Sequence, residues 1–166
     1  MDADTLPDQP SNNSRTHYEA EMDVAYGVRF NELNERFYRR LDSVFSFCGA
    51  LGGSAVFASW LGDKPLIAGI IGPALVILTY IEREIRPAQK AVRCAVQREK
   101  FGALASRTPT TTLVDVDREL RILQSNCPDT IGALEVPAWN AVMRSKGHYD
   151  RQLSLNRLSK AAMVLA

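Results

Sequence analysis

Two uncharged apolar stretches separated by a short polar turn constrain this chain more than any other feature. Residues 43–62 (SVFSFCGALGGSAVFASWLG) carry no ionisable group except the Cys48 thiol, and after Asp63 and Lys64 residues 65–81 (PLIAGIIGPALVILTYI) are again uncharged. A helix rises about 1.5 Å per residue and a bilayer core is about 30 Å thick, so roughly 20 mostly apolar residues cross it. The first stretch has that length, and the second reaches it with snorkelling flanks or local bilayer thinning. A soluble core hairpin is the alternative, but the rest of the chain is too small to wrap two helices that are apolar all round. The sequence predicts a transmembrane helical hairpin.

The remaining composition narrows the function by exclusion. Among 166 residues the net charge is +1 with 23% charged, so no global field marks a nucleic-acid binder. Cys48, Cys94 and Cys127 are odd in number and lack Cys-x-x-Cys spacing or a nearby His pair. They describe neither a disulfide framework nor a zinc site, and read as free thiols in a reducing compartment. The histidines, His17 and His148, have no metal-site spacing. No phosphate-binding loop is present, and Gly49-Ala50-Leu51-Gly52-Gly53 lies inside an apolar stretch. No catalytic residue, cofactor or metal ligand is assigned, and an enzyme is disfavoured.

Along the chain the pattern is helical, giving an all-α fold in which cytosolic helices extend the hairpin into a bundle. Residues 1–16 are polar and acidic, without the apolar core of a signal peptide, and read as a disordered tail. A cytosolic helix over 17–42 follows, with Tyr18, Met22, Tyr26, Phe30, Leu33, Phe37 and Leu41 on one face and Gly27 as its weak point. The hairpin occupies 43–81, with spans at about 43–62 and 65–81, and a cytosolic helical region fills 82–166. Ile81, Ile85, Ala88, Val92 and Ala95 form a heptad-like stripe, in which Pro87 predicts a kink at the membrane exit. Thr112 and Asp115 start a helix with Leu113, Val116, Leu120 and Leu123 on its apolar face, ending near Asn126. Pro137 opens another helix, closed by Gly147. A basic amphipathic helix over about 150–164 is expected to cap the bundle on Trp139 and Met143, with an anionic lipid surface as the alternative.

Charge asymmetry sets the orientation. The turn offers Lys64 beside Asp63, whereas Arg29, Arg36, Arg39 and Arg40 precede the first span and Arg83, Arg86, Lys90, Arg93, Arg98 and Lys100 follow the second. Positive flanks stay in the cytoplasm, so both termini are expected there, in a multi-pass protein of the inner (plasma) membrane. Trp60 and Tyr80 suit the two interfaces. Within the spans, Gly49-x-x-x-Gly53 and the small residues Gly69 and Gly72 permit close helix approach, either inside the hairpin or between protomers. Pro73 removes a backbone bond to Gly69 and predicts either a static kink or a hinge. No ionisable residue lies deep in either span, so a proton relay or charged filter has no candidate group.

An Arg-bearing aromatic helix ending Arg36-Phe37-Tyr38-Arg39-Arg40, a tight apolar hairpin and a long juxtamembrane helix together resemble the two-transmembrane SLATT families, the SMODS and SLOG-associating domains, over about residues 17–125. The resemblance lies in architecture and transfers no site residue. It implies an oligomeric membrane effector, pore-forming or membrane-perturbing, gated by its cytosolic helices in a bacterial or phage conflict system. A lipid bilayer, further copies of the chain and a cytosolic sensor or nucleotide-generating protein are the partners it implies. A non-enzymatic membrane adaptor or structural protein, phage-encoded or not, is the alternative. A holin-like lysis protein ranks last, because most of the chain is cytosolic.

Overall fold

Thr16 opens the fold. Its hydroxyl accepts from the Glu19 N–H at 3.2 Å while the Glu19 carboxylate accepts from the Thr16 N–H at 2.7 Å, a reciprocal cap that starts helix α1, His17–Gly52. The computed structural model describes residues 15–54, 59, 62 and 65–166, and every regular element among them is helical. After α1 come α2 (Pro65–Ile85), α3 (Pro87–Arg107), α4 (Leu113–Ser125), α5 (Glu135–Ser145) and α6 (Arg157–Leu165), with single 3-10 turns between the later helices. Residues 1–14 of the acidic tail, and Trp60, Asp63 and Lys64 of the expected hairpin, lie outside the described residues. Arg15, placed by the sequence in that tail, is instead tied down: its guanidinium bridges Asp23 of α1 and Asp117 of α4.

At 36 residues, α1 is about 54 Å long and serves as the spine. It is buried on two faces. The aromatic face predicted by spacing packs on the C-terminal helices: Phe30 and Leu33 meet Leu134, Ala138 and Ala162, and Met22 meets Val142 and Met143. The second face, built from Ala20, Val24, Gly27, Asn31 and Tyr38, was not legible as apolar periodicity. Ala20 and Val24 pack on Phe101, Leu104, Val116 and Leu120, while Tyr38 packs on Ala91 and Cys94. This order makes α3 antiparallel to α1. Gly27 is the close-approach point of the seam and not a weak point, since a Cβ there would lie 2.5 Å from ring carbons of the buried Phe101.

The helix expected to kink at Pro87 is broken outright. α2 ends at Ile85, Arg86 adopts a left-handed conformation (φ 50°, ψ 58°), and Pro87 becomes the first residue of α3. The proline ring disfavours the α region for the residue before it, while its fixed φ suits a helix start. The restart changes the phase. The expected heptad stripe does not face the bundle: Val92 is 62% exposed, and Ala91, Cys94, Gln97, Phe101 and Leu104 are buried in its place.

Polar contacts fix the later elements. α4 coincides with its predicted bounds, its Thr112 hydroxyl accepting from the Asp115 N–H at 3.3 Å. Gln97 donates to the Leu123 carbonyl at 2.6 Å, and buried Asn34 accepts from the Ile131 N–H at 2.8 Å, holding the loop after α4 against α1. Gly147, at φ 81°, terminates α5 as its spacing predicts. The last helix differs from expectation in start and partner. Asn140 clamps Leu153 through both backbone groups at 2.7 and 2.8 Å, so the preceding chain is extended, and Asn156 caps a shorter α6. Its Ala162 packs beside Phe30 and Leu33, not on Trp139 and Met143.

Gly27→Ala tests the seam. Alanine favours an isolated helix by about 1 kcal/mol over glycine, whereas overpacking a filled core costs about 1–3 kcal/mol. The variant should be destabilised in chemical unfolding, and adding Phe101→Leu should recover much of the loss. A stabilised Gly27→Ala would show that the seam has room.

Candidate functional site: the apolar helix and the junction at its base

α2 contributes nothing to the core. Leu66, Ile70, Val76, Ile77 and Tyr80 are each between 59% and 78% exposed, and none of its most apolar 18-residue window is buried. A core helix of a soluble protein would be mostly covered. Burying one such side chain is worth about 1.5–3 kcal/mol, so leaving a whole helix of them in water is a heavy penalty. By length and composition α2 is the one described helix able to cross a membrane. It runs through Pro73 without a change of secondary structure.

The first apolar stretch behaves differently. α1 carries it only to Gly52; Gly53 turns and Ser54 leaves the helix, with helical conformation again at Ser59 and Gly62. The helical part from Ser43 to Gly52 is about 15 Å long, half a bilayer core. The helix thus ends inside the expected 43–62 span, of which residues 55–58, 60 and 61 lie outside the described residues. Glycine at 49, 52 and 53 explains the site of the break, since each costs about 1 kcal/mol relative to alanine inside a helix.

Among the described residues the glycines differ in how closely a neighbour approaches them. A Cβ at Gly49, Gly69 or Gly72 would meet nothing within 4 Å, and one at Gly53 would reach only the Gly49 carbonyl at 3.5 Å. Gly52 is the contact: its Cβ would lie 2.7 Å from Leu75 of α2. Around it, Phe45, Cys48 and Gly49 face Leu75, Leu78 and Thr79 across a cleft of about 250 Å³. The sequence signal for Gly52 was present in the same glycine cluster, but helix spacing alone does not select one register of approach.

Below this junction lies a charged band. Buried Glu35 holds Arg39 at 2.8 Å and Arg98 of α3 at 3.1 Å, an ion cluster that periodicity did not disclose. Arg40 donates to the Val164 carbonyl at 2.9 Å, bringing the end of α6 to the level where α1 becomes apolar. Lys90 lies 3.7 Å from Asp129. Both histidines make structural contacts: His148 Nε2 is 2.7 Å from the Tyr18 hydroxyl, and His17 lies 3.7 Å from Glu21. Among the described residues no three His, Cys, Asp or Glu side chains gather to hold a metal ion. Burial pushes the Cys94 thiol up to about 11; partial burial raises the Cys127 thiol as well, but that residue is open to solvent whereas Cys94 is enclosed.

No family model, curated protein or solved structure matches the chain.

Two measurements probe this region. With Cys94 and Cys127 changed to Ser, Cys48 and an introduced Leu78→Cys should cross-link across the cleft; adding Gly52→Leu should suppress the cross-link and Gly49→Leu should leave it. Equal effects of the two would remove Gly52 as the contact. In the wild-type protein at pH 8, maleimide should modify Cys127 well before Cys94, because a thiol with its pKa near 11 is almost entirely protonated there. Rapid native modification of Cys94 would mean the α1–α3 seam opens readily.

Proposed function

We propose that this chain is a multi-pass integral membrane protein whose apolar hairpin anchors a cytoplasmic helical bundle, and that it works as an oligomeric membrane effector. One observation supports the reading above the others. Among the described residues none of the most apolar window of α2 is buried, and no α2 side chain joins the buried clusters that α1 forms with the later helices. The second leg of the hairpin is then α2, and the first leg starts with the apolar end of α1. With Arg36, Arg39, Arg40, Arg83, Arg86 and Arg93 at the base of the hairpin, the bundle and both termini belong on the cytoplasmic side of the inner membrane.

The effector reading, and with it the SLATT-like assignment, draws on the small residues Gly69 and Gly72, beside which no atom of the described residues lies within 4 Å of a Cβ position, and which suit close approach of a neighbouring copy. Pro73 leaves the Gly69 carbonyl without its helical donor, which gives α2 a point at which to bend when the assembly is activated. A cytosolic sensor or nucleotide-generating enzyme would supply the signal through the bundle. A membrane adaptor is the second reading, favoured by the self-contained bundle and its open groove between α1 and α5, lined by Arg29, Glu32, Arg144 and Ser145.

Carbonate-washed membranes should retain the protein, and reporters fused at Ala166 and at Gly62 should lie on opposite sides. On overexpression the wild type should admit a membrane-impermeant dye, and Pro73→Ala at matched membrane levels should reduce entry severalfold, because alanine restores the backbone bond that proline deletes. Release by carbonate refutes the anchor. Equal leakage from both proteins removes the hinge, and an inert wild type supplied with its neighbouring genes favours the adaptor.

A further inference from the structure

Where α2 meets the bundle there is a second cleft, of about 380 Å³, within the ~300–1,000 Å³ range of small-molecule sites. α1 contributes Asp42, the last turns of α2 contribute Thr79, Glu82 and Arg83, and the break contributes Arg86 and Gln89. The cleft thus carries two carboxylates, two guanidiniums and two neutral polar side chains. Among the described residues none of these four charged groups forms an ion pair with another, although all line one cavity. Elsewhere on this surface opposite charges in reach do pair, as Arg29 and Arg36 do with Glu32 at 2.6 and 2.5 Å. Arg86, in its left-handed conformation at the break between α2 and α3, lines the cleft with them.

We infer that this cleft is a headgroup site for a zwitterionic phospholipid with a primary ammonium, that is, a phosphoethanolamine headgroup. The inference rests on the membrane reading of α2, which places Thr79 to Gln89 at the headgroup level of the cytoplasmic leaflet. Arg83 and Arg86 present planar N–H donors suited to a phosphodiester, and the first turn of α3, which no side chain caps, also lines the cleft. Asp42 and Glu82 accept from an ammonium that has three N–H donors. A purely anionic headgroup would satisfy the guanidiniums and leave the two carboxylates repelled. A choline headgroup has no N–H to give them. The acyl chains would lie along the exposed apolar surface of α2 beside Val76 and Tyr80.

Native mass spectrometry of the full chain released from nanodiscs tests the assignment, using discs of equal parts phosphatidylethanolamine, phosphatidylglycerol and phosphatidylcholine. Retained lipid should be chiefly phosphatidylethanolamine. Asp42→Asn with Glu82→Gln should lower its ratio to phosphatidylglycerol about tenfold, the scale of losing one charge-assisted contact. Arg83→Gln with Arg86→Gln should reduce retention of all three, with unchanged thermal unfolding of each variant showing that the bundle is intact. Free phosphoethanolamine should not displace the lipid; displacement would make the ligand a soluble compound and overturn the lipid assignment. Equal retention of the three lipids, or a preference for phosphatidylglycerol that the carboxylate variant leaves unchanged, overturns the site. Failure of the wild type to enter nanodiscs would overturn the membrane reading itself, and is distinguished by the absence of protein from the disc fraction.

Discussion

Everything in the bundle depends on one helix being buried on two sides at once. α1 offers aromatic bulk to the C-terminal helices and small or polar residues to α3, and the two faces do different physical work. Phe30, Leu33 and Met22 supply apolar area. On the opposite face, Ala20, Val24 and Gly27 let the α3 backbone and the Phe101 ring come close, so contact there is gained through proximity. Polar groups then fix the register: Asn34 holds the loop after α4, and Glu35 holds Arg98. A sliding of α3 along α1 would strand a buried carboxylate and reopen the glycine notch, so only one register satisfies both demands.

This division of labour explains what was legible in the sequence. The aromatic stripe of α1, the Thr112 cap of α4 and the Gly147 stop of α5 each have a local signature, and local signatures survive folding. The second face of α1 has none, because glycine, alanine and asparagine become informative only when the partner ring is known. The stripe from Ile81 to Val92 misled for a related reason. Its spacing is regular in the chain, but the helix that would carry it is cut at Arg86, and a periodicity cannot be read across a break. α6 was placed too early because the Asn140 clamp on Leu153 is a tertiary constraint, thirteen residues away in sequence.

At the candidate site the sequence disclosed the material and not its arrangement. Length and the absence of charge identify an apolar helix directly, and α2 has its surface exposed as such a helix in a membrane would require. The glycine spacing identified a cluster without showing that Gly52 is the member that meets Leu75. Charge counting gave a band of arginines without distinguishing those already engaged, such as Arg39 and Arg98, from those that line an open cleft, such as Arg83 and Arg86.

The break at Arg86 also limits what kind of force can pass between the two halves of the molecule. A continuous helix is stiff in torsion, and rotating one end turns the other. One residue in the left-handed region interrupts the helical geometry, so α2 and α3 are two helices and not one rod. The bundle therefore has no drive shaft into α2. In the effector reading it would reach that helix as a lever does, through the side-on contact of Gly52 with Leu75 and through the Arg86 joint, so that tilt and displacement would pass more readily than twist.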